Sequence, residues 1–152
     1  MKFLVDSMLG RLAKWLRILG YDTLYFSSLE DSDLVRIARA EGRMVLTRDR
    51  EMTRRRGIDC LFVENEHFRE QIRQVLRDLN LQADSSFTRC PVCNTPLQPL
   101  EKRDAQGRVP PYVYKTQERF SLCPGCQRIY WRGTHWERMK GKIEGWEGAG
   151  DG

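Results

Sequence analysis

The chain has 152 residues, with 26 Lys and Arg against 21 Asp and Glu and a formal net charge of +5. That length holds one ordinary core, or one core with a small appendage, and excludes two large domains. The basic excess favours an anionic partner such as nucleic acid without requiring one, no apolar run nears the roughly 18 residues of a membrane span, and the opening MKFLVD lacks a signal peptide's apolar length. A soluble, cytoplasmic protein with no membrane association is expected.

Taken in chain order, residues 2–5 form a β-rich apolar run that predicts a buried parallel strand ending at Asp6. Leu9, Leu12, Ala13, Leu16 and Leu19 recur at helical spacing, with Arg11, Lys14 and Arg17 off that stripe, and Gly20 stops the helix. Residues 23–26 predict a second strand. Asp31 stands ahead of Leu34, Val35, Ile37 and Ala38, placed to cap an amphipathic helix that closes at Gly42. A third strand over 43–47 leads to Asp49, followed by a short arginine-rich helix, a fourth strand around 58–63 and a helix over about 66–79. This alternation predicts an α/β fold, a parallel sheet with helices on both faces.

After Leu81 the texture changes. QADSSFT reads as a linker, RCPVC opens a proline- and glycine-bearing stretch without helical periodicity, and GKIEGWEGAGDG reads as a flexible tail in which Trp146 has the means to dock. The expected division is therefore 1–81, 88–140 and 141–152.

Ligands of open α/β sheets bind at the carboxyl ends of the strands. Asp6 and Asp49 are predicted at two such ends, and Asp31 at the helix leading into the strand before Asp49, so all three are able to face one crevice. Converging acids repel unless a cation joins them, and an all-oxygen site suits Mg²⁺ or Mn²⁺. The usual chemistry of such a site is in-line attack of water on a phosphodiester. Arg48, Arg50 and the run Arg54, Arg55, Arg56 are placed to seat a polyanionic backbone, and Arg11, about one helical turn past Asp6, and Lys14 are placed to join them. Each acid also has an ordinary structural role as a strand end or helix cap, and Asp33 rivals Asp31 as a first-turn acid.

Cys90-Pro-Val-Cys93 and Cys123-Pro-Gly-Cys126 are two CxxC knuckles. Together they supply a tetrahedral S₄ set that selects Zn²⁺ or an iron–sulfur centre, and a filled four-thiolate site is structural. The long gap between the pairs suits a β-rich ribbon whose knuckles are joined by a β-hairpin excursion. His135 could replace a cysteine as ligand, but four thiolates already fill the site; Cys60 reads as a small buried hydrophobe and His67 as an exposed helix residue. IYWRGTHW mixes aromatics with Arg132 in a composition that stacks on unpaired bases, although Tyr130 and Trp131 also suit packing over the knuckles.

Across FLVDSMLGRLAKWLRILGYDT, DLVRIARAEGRMVLTRD, RCPVCNTPL and CPGCQRIYWRGTHWERM, nearly the whole chain resembles the PIN-like ribonuclease family named for the C-terminal domain of the Mut-seven protein. The resemblance implies a PIN-like α/β domain followed by a zinc ribbon, with acids that bind divalent metal for RNA cleavage. Carried across, those acids are Asp6, Asp31 and Asp49. Larger PIN nucleases have a further acid, usually glutamate, on an earlier helix, and this chain has no match for it. Two readings follow: a metal-dependent endoribonuclease, or a non-catalytic RNA-binding or ribosome-associated adaptor with a degenerate site. A single chain does not specify a protein partner such as an antitoxin or the ribosome.

Overall fold

The computed structural model describes residues 1–82 and 87–133. Four strands, β1 (Lys2–Val5), β2 (Asp22–Tyr25), β3 (Met44–Thr47) and β4 (Asp59–Phe62), form a parallel sheet in the order β2-β1-β3-β4. Between and after them run α1 (Gly10–Ile18), α2 (Asp31–Glu41) and α3 (Phe68–Asp78).

Side chains alternate across a strand, and the apolar runs of β1 and β3 feed two cores at once. Phe3, Val5 and Leu46 meet Leu12 and Leu16 of α1 and Ile72 and Val75 of α3 on one face. Leu4 and Val45 meet Leu34, Val35 and Ala38 of α2 on the other, with Met52 closing that side. The expected two-sided α/β sheet is the one observed.

Local differences from the expected boundaries have identifiable causes. Asp31 is not the cap of α2: Glu30 holds the extended cap position without a side-chain bond, and Asp31 is the first helical residue. α3 starts at Phe68 because the Asn65 side chain accepts the His67 N–H (2.7 Å), an Asx turn that holds 65–67 out of the helix and puts the exposed His67 at its cap. Gly20 turns the chain from α1 into β2 at φ +99°, and a Cβ there would stand 2.9 Å from the Thr88 hydroxyl.

The remainder builds a three-stranded antiparallel sheet from β5 (Gln98–Leu100), β6 (Phe120–Leu122) and β7 (Ile129–Tyr130). The excursion between the knuckles is not a plain hairpin, since two short helices, α4 (Lys102–Ala105) and α5 (Pro111–Thr116), interrupt it. Each is too short to display a period. Pro111 pre-sets the first turn of α5, and Val109, Val113 and Tyr114 cover Phe120 in a small core with Ala105.

This sheet is joined to the larger one through the first knuckle. Asn94 accepts the Thr23 N–H (3.0 Å) and donates to the Asp22 carboxylate (2.7 Å), occupying the open edge of β2. Buried Arg17 donates to the carbonyls of Thr23 (2.8 Å), Pro91 (2.9 Å) and Val92 (3.1 Å). Asp22 and Thr23 begin β2, so the knuckle docks at the amino end of the parallel sheet, opposite the end that carries Asp6 and Asp49. Among the described residues no helix is long and apolar enough to cross a membrane.

Candidate functional site

Asp6 and Asp49 follow neighbouring strands. The Asp6 N–H donates to Leu46 O (3.1 Å), extending the β1–β3 ladder by one residue. Its carboxylate is only 8% exposed and held on both oxygens. Oδ1 accepts the Met8 N–H (3.0 Å), while Oδ2 accepts the Thr47 hydroxyl (2.5 Å) and the Arg48 N–H (3.0 Å). Thr47 Oγ1 in turn accepts the Asp49 N–H (2.9 Å), and Asp49 Oδ1 accepts the Glu51 N–H (2.9 Å). One hydroxyl thus ties the two acids together.

Asp31, exposed on the first turn of α2, lies at the same end of the sheet, because α2 leaves the carboxyl end of β2 and returns to the amino end of β3. Its neighbour Asp33 is paired with Arg36 (3.0 Å). The three acids do not close to a tight cage: among the described residues, only the four cysteines bring their ligand atoms within 4.8 Å of one another. A hard cation is nonetheless compatible with the donor set. Asp6 Oδ1 has accepted one bond and Asp49 Oδ2 none of those described, and Mg²⁺ characteristically keeps several waters and takes only one or two carboxylates.

Cys60 of β4 is half-buried on the α2 side. Burial, and then the negative charge of Asp6, push its thiol up to about 11, so it stays protonated near neutral pH.

The cysteines form the second centre. Cys93 and Cys123 Sγ are 3.2 Å apart, Cys90 and Cys126 Sγ 3.7 Å, and all four are free thiols. Tetrahedral Zn–S bonds of about 2.3 Å put sulfurs about 3.8 Å apart, so the set fits zinc. Both knuckles fold alike. Cys90 and Cys123 each accept from the residue four positions on, Asn94 (2.9 Å) and Gln127 (2.8 Å), and those two residues take left-handed φ of 68° and 65°. A Cβ on Gly125 would stand 2.9 Å from Thr95 Oγ1 and 3.4 Å from Cys93 Sγ, which explains glycine in the second knuckle. The hydrogen bond with Thr95 leads in lowering the Cys93 thiol to about 6, while burial pushes Cys123 up to about 11. The Tyr130 hydroxyl lies 3.0 Å from Cys90 Sγ. His135 lies outside the described residues, as do Trp136, Trp146 and the tail.

The model of the Mut7-C RNAse domain matches residues 1–143. The chain belongs to the Mut7-C RNAse domain family. No curated protein and no solved structure matches it.

In this Mut7-C domain the basic residues divide by what they touch. Arg48 donates to Val63 O (2.9 Å), which fastens the end of β4 beside the acids. The Arg50 guanidinium lies 4.2 Å over the Phe62 ring and that of Arg11 4.4 Å over the Phe68 ring. Arg54 pairs with Glu51 (3.3 Å) on the exposed surface, and Lys14 is exposed. Sequence reasoning passed over three residues: Thr47, Arg17 and Asn94. Thr47 had a readable signal, a hydroxyl two residues before an acid at a strand end, the spacing of a serine/threonine turn. The other two act across more than 70 residues of chain and left none.

Proposed function

We propose that this Mut7-C domain is a divalent-metal-dependent endoribonuclease of PIN-like type, with residues 1–81 carrying the chemistry, a zinc ribbon within 88–140 aiding RNA binding, and 141–152 a tail. The reducing cytoplasm, where thiols remain available to zinc, is its expected compartment. The observation that carries the reading is the Asp6–Thr47–Asp49 relay at the carboxyl ends of two adjacent parallel strands, in a chain whose family is an RNAse domain.

Asp6, Asp31 and Asp49 would hold Mg²⁺ or Mn²⁺, which when bound polarises a phosphoryl oxygen and makes water a stronger nucleophile. Thr47 and the Arg48 amide occupy Asp6 Oδ2 and fix the carboxylate's orientation, leaving Oδ1, which accepts the Met8 N–H, as the oxygen that would serve a cation. Asp49 offers the oxygen its own turn does not use. Arg11 and Arg50, each laid on an aromatic ring, present rigid planar forks suited to phosphate oxygens. Arg48, Arg54 and Lys14 would add positive charge that raises the local concentration of a polyanion, Arg54 less so while it is paired with Glu51.

The test is incubation of the purified chain with single-stranded and structured RNAs in Mn²⁺ or Mg²⁺. Cleavage by the parent and its loss in Asp49→Asn are expected; equal cleavage by both would mark a contaminating nuclease. The missing fourth acid and the open spacing of the trio favour a second reading, a non-catalytic RNA-binding adaptor. Tight RNA binding with no cleavage under either metal distinguishes it.

A further inference from the structure

A cleft of about 360 Å³ opens on the smaller sheet, its lining including Phe87, Glu118, Arg119, Ser121, Tyr130 and Trp131. Two aromatic contacts line it: Phe87 and Tyr130 lie tilted at 37° with centroids 5.3 Å apart, and Trp131, packed on the small core, is backed edgewise by Phe120 at 6.4 Å. The Tyr130 hydroxyl is held on Cys90 Sγ (3.0 Å), which ties this wall of the cleft to the first knuckle. Arg119 brings positive charge to the lining, and Glu118 is paired with Lys102 (3.1 Å).

We propose that this cleft binds an unpaired nucleobase of single-stranded RNA, the base stacking on Trp131 and its phosphate meeting Arg119. The size agrees: the cleft lies near the low end of the roughly 300–1,000 Å³ range of ligand pockets, enough for one nucleotide and too small for a duplex. Aromatic platforms flanked by arginine are the general means of holding unpaired bases without sequence choice. The inference rests on the ribonuclease reading for its ligand and adds a location. The cleft adjoins the knuckle docked at the amino end of the parallel sheet, whereas the acids lie at the carboxyl end, at least the roughly 13 Å length of a four-residue strand away. It is therefore an anchor several nucleotides from the scissile bond, and it favours substrates long enough to reach both.

The test uses the full zinc-loaded chain without added Mg²⁺ or Mn²⁺, titrated against a labelled single-stranded oligouridylate and read by anisotropy. Trp131→Ala is expected to weaken binding roughly tenfold to a hundredfold, the loss of one base stack, and Trp131→Phe to restore most of it. Arg119→Gln should flatten the salt dependence by the share of about one phosphate contact. Zinc content, measured on each variant, separates a lost stack from a lost ribbon. The proposal is overturned if the parent does not bind the oligonucleotide, if fully zinc-loaded Trp131→Ala binds as the parent does, or if duplex RNA competes equally. Trp131-dependent binding without cleavage in either metal sinks the nuclease reading alone, and cleavage with Trp131-independent binding sinks the cleft alone.

Discussion

Replacing Arg17 by leucine tests how the zinc-bearing segment is fastened to the parallel sheet. The side chain is 8% exposed and its guanidinium donates to three carbonyls, two of them in the first knuckle. Burial lowers its pKa, the nearby cysteines and Asp22 oppose that, and a guanidinium stays charged in proteins regardless. Hydrogen bonds from a charged donor contribute about 1.5–3 kcal/mol each. The two shorter bonds, to Thr23 and Pro91, together cost about 3–6 kcal/mol. Leucine returns about 1–2 kcal/mol by burying apolar surface, leaving a net loss of about 1–5 kcal/mol. Four thiolates on one Zn²⁺ make that centre doubly negative, so zinc affinity should fall as well. Urea titration of zinc-loaded protein, paired with competition against a chromogenic chelator, reads both quantities. A variant within about 0.5 kcal/mol of the parent, the range of an ordinary surface change, and with unchanged zinc affinity would refute the reasoning.

Further outcomes are expected elsewhere. Thr47→Val deletes the hydroxyl between the two acids and should lower RNA cleavage about 10- to 100-fold, as loss of a ligand's supporting hydrogen bond does; Thr47→Ser should recover most of it, and a fully active valine variant would remove the relay from the mechanism. Stripping zinc, or changing Cys123 to serine, should erase hydrogen-exchange protection in β5–β7 while leaving β1 and β3 protected, and unchanged protection in β5–β7 would contradict a structural metal. Burial acts to raise the Asp22 pKa, but hydrogen bonds from Arg43 and Asn94 outweigh it and hold the carboxyl below its usual range. Its contribution to stability is therefore present above the unfolded value of about 3.9 and lost as pH falls through the lower folded value. The stability difference between parent and Asp22→Asn should accordingly shrink with acidification below about pH 4, and a difference constant with pH would contradict it.

The larger sheet was legible because its signals are local. Buried runs such as those of β1 and β3 and the Leu stripe of α1 announce themselves in a few residues, and the two CxxC pairs announce a metal by composition alone. Asp6 and Asp49 follow β1 and β3, whose ends the apolar runs mark. The failures share one cause. Asp31 was read as a cap because aspartate prefers that position, yet Glu30 occupies it and Asp31 enters the helix. α4 and α5 are too short for periodicity and fold over Phe120, a contact invisible in one dimension. Arg17 gave only the signature of a solvent-facing arginine, and its burial depends on carbonyls more than 70 residues away.

The central claim is that the aspartates at the carboxyl end of the sheet hold a hard divalent ion. Calorimetric titration of Mn²⁺ into zinc-loaded parent and Asp6→Asn tests it most directly. The account predicts saturable binding to the parent and its loss in Asp6→Asn, with zinc content the same in both. Absence of Mn²⁺ binding to the parent, or equal binding to the two proteins, would contradict it.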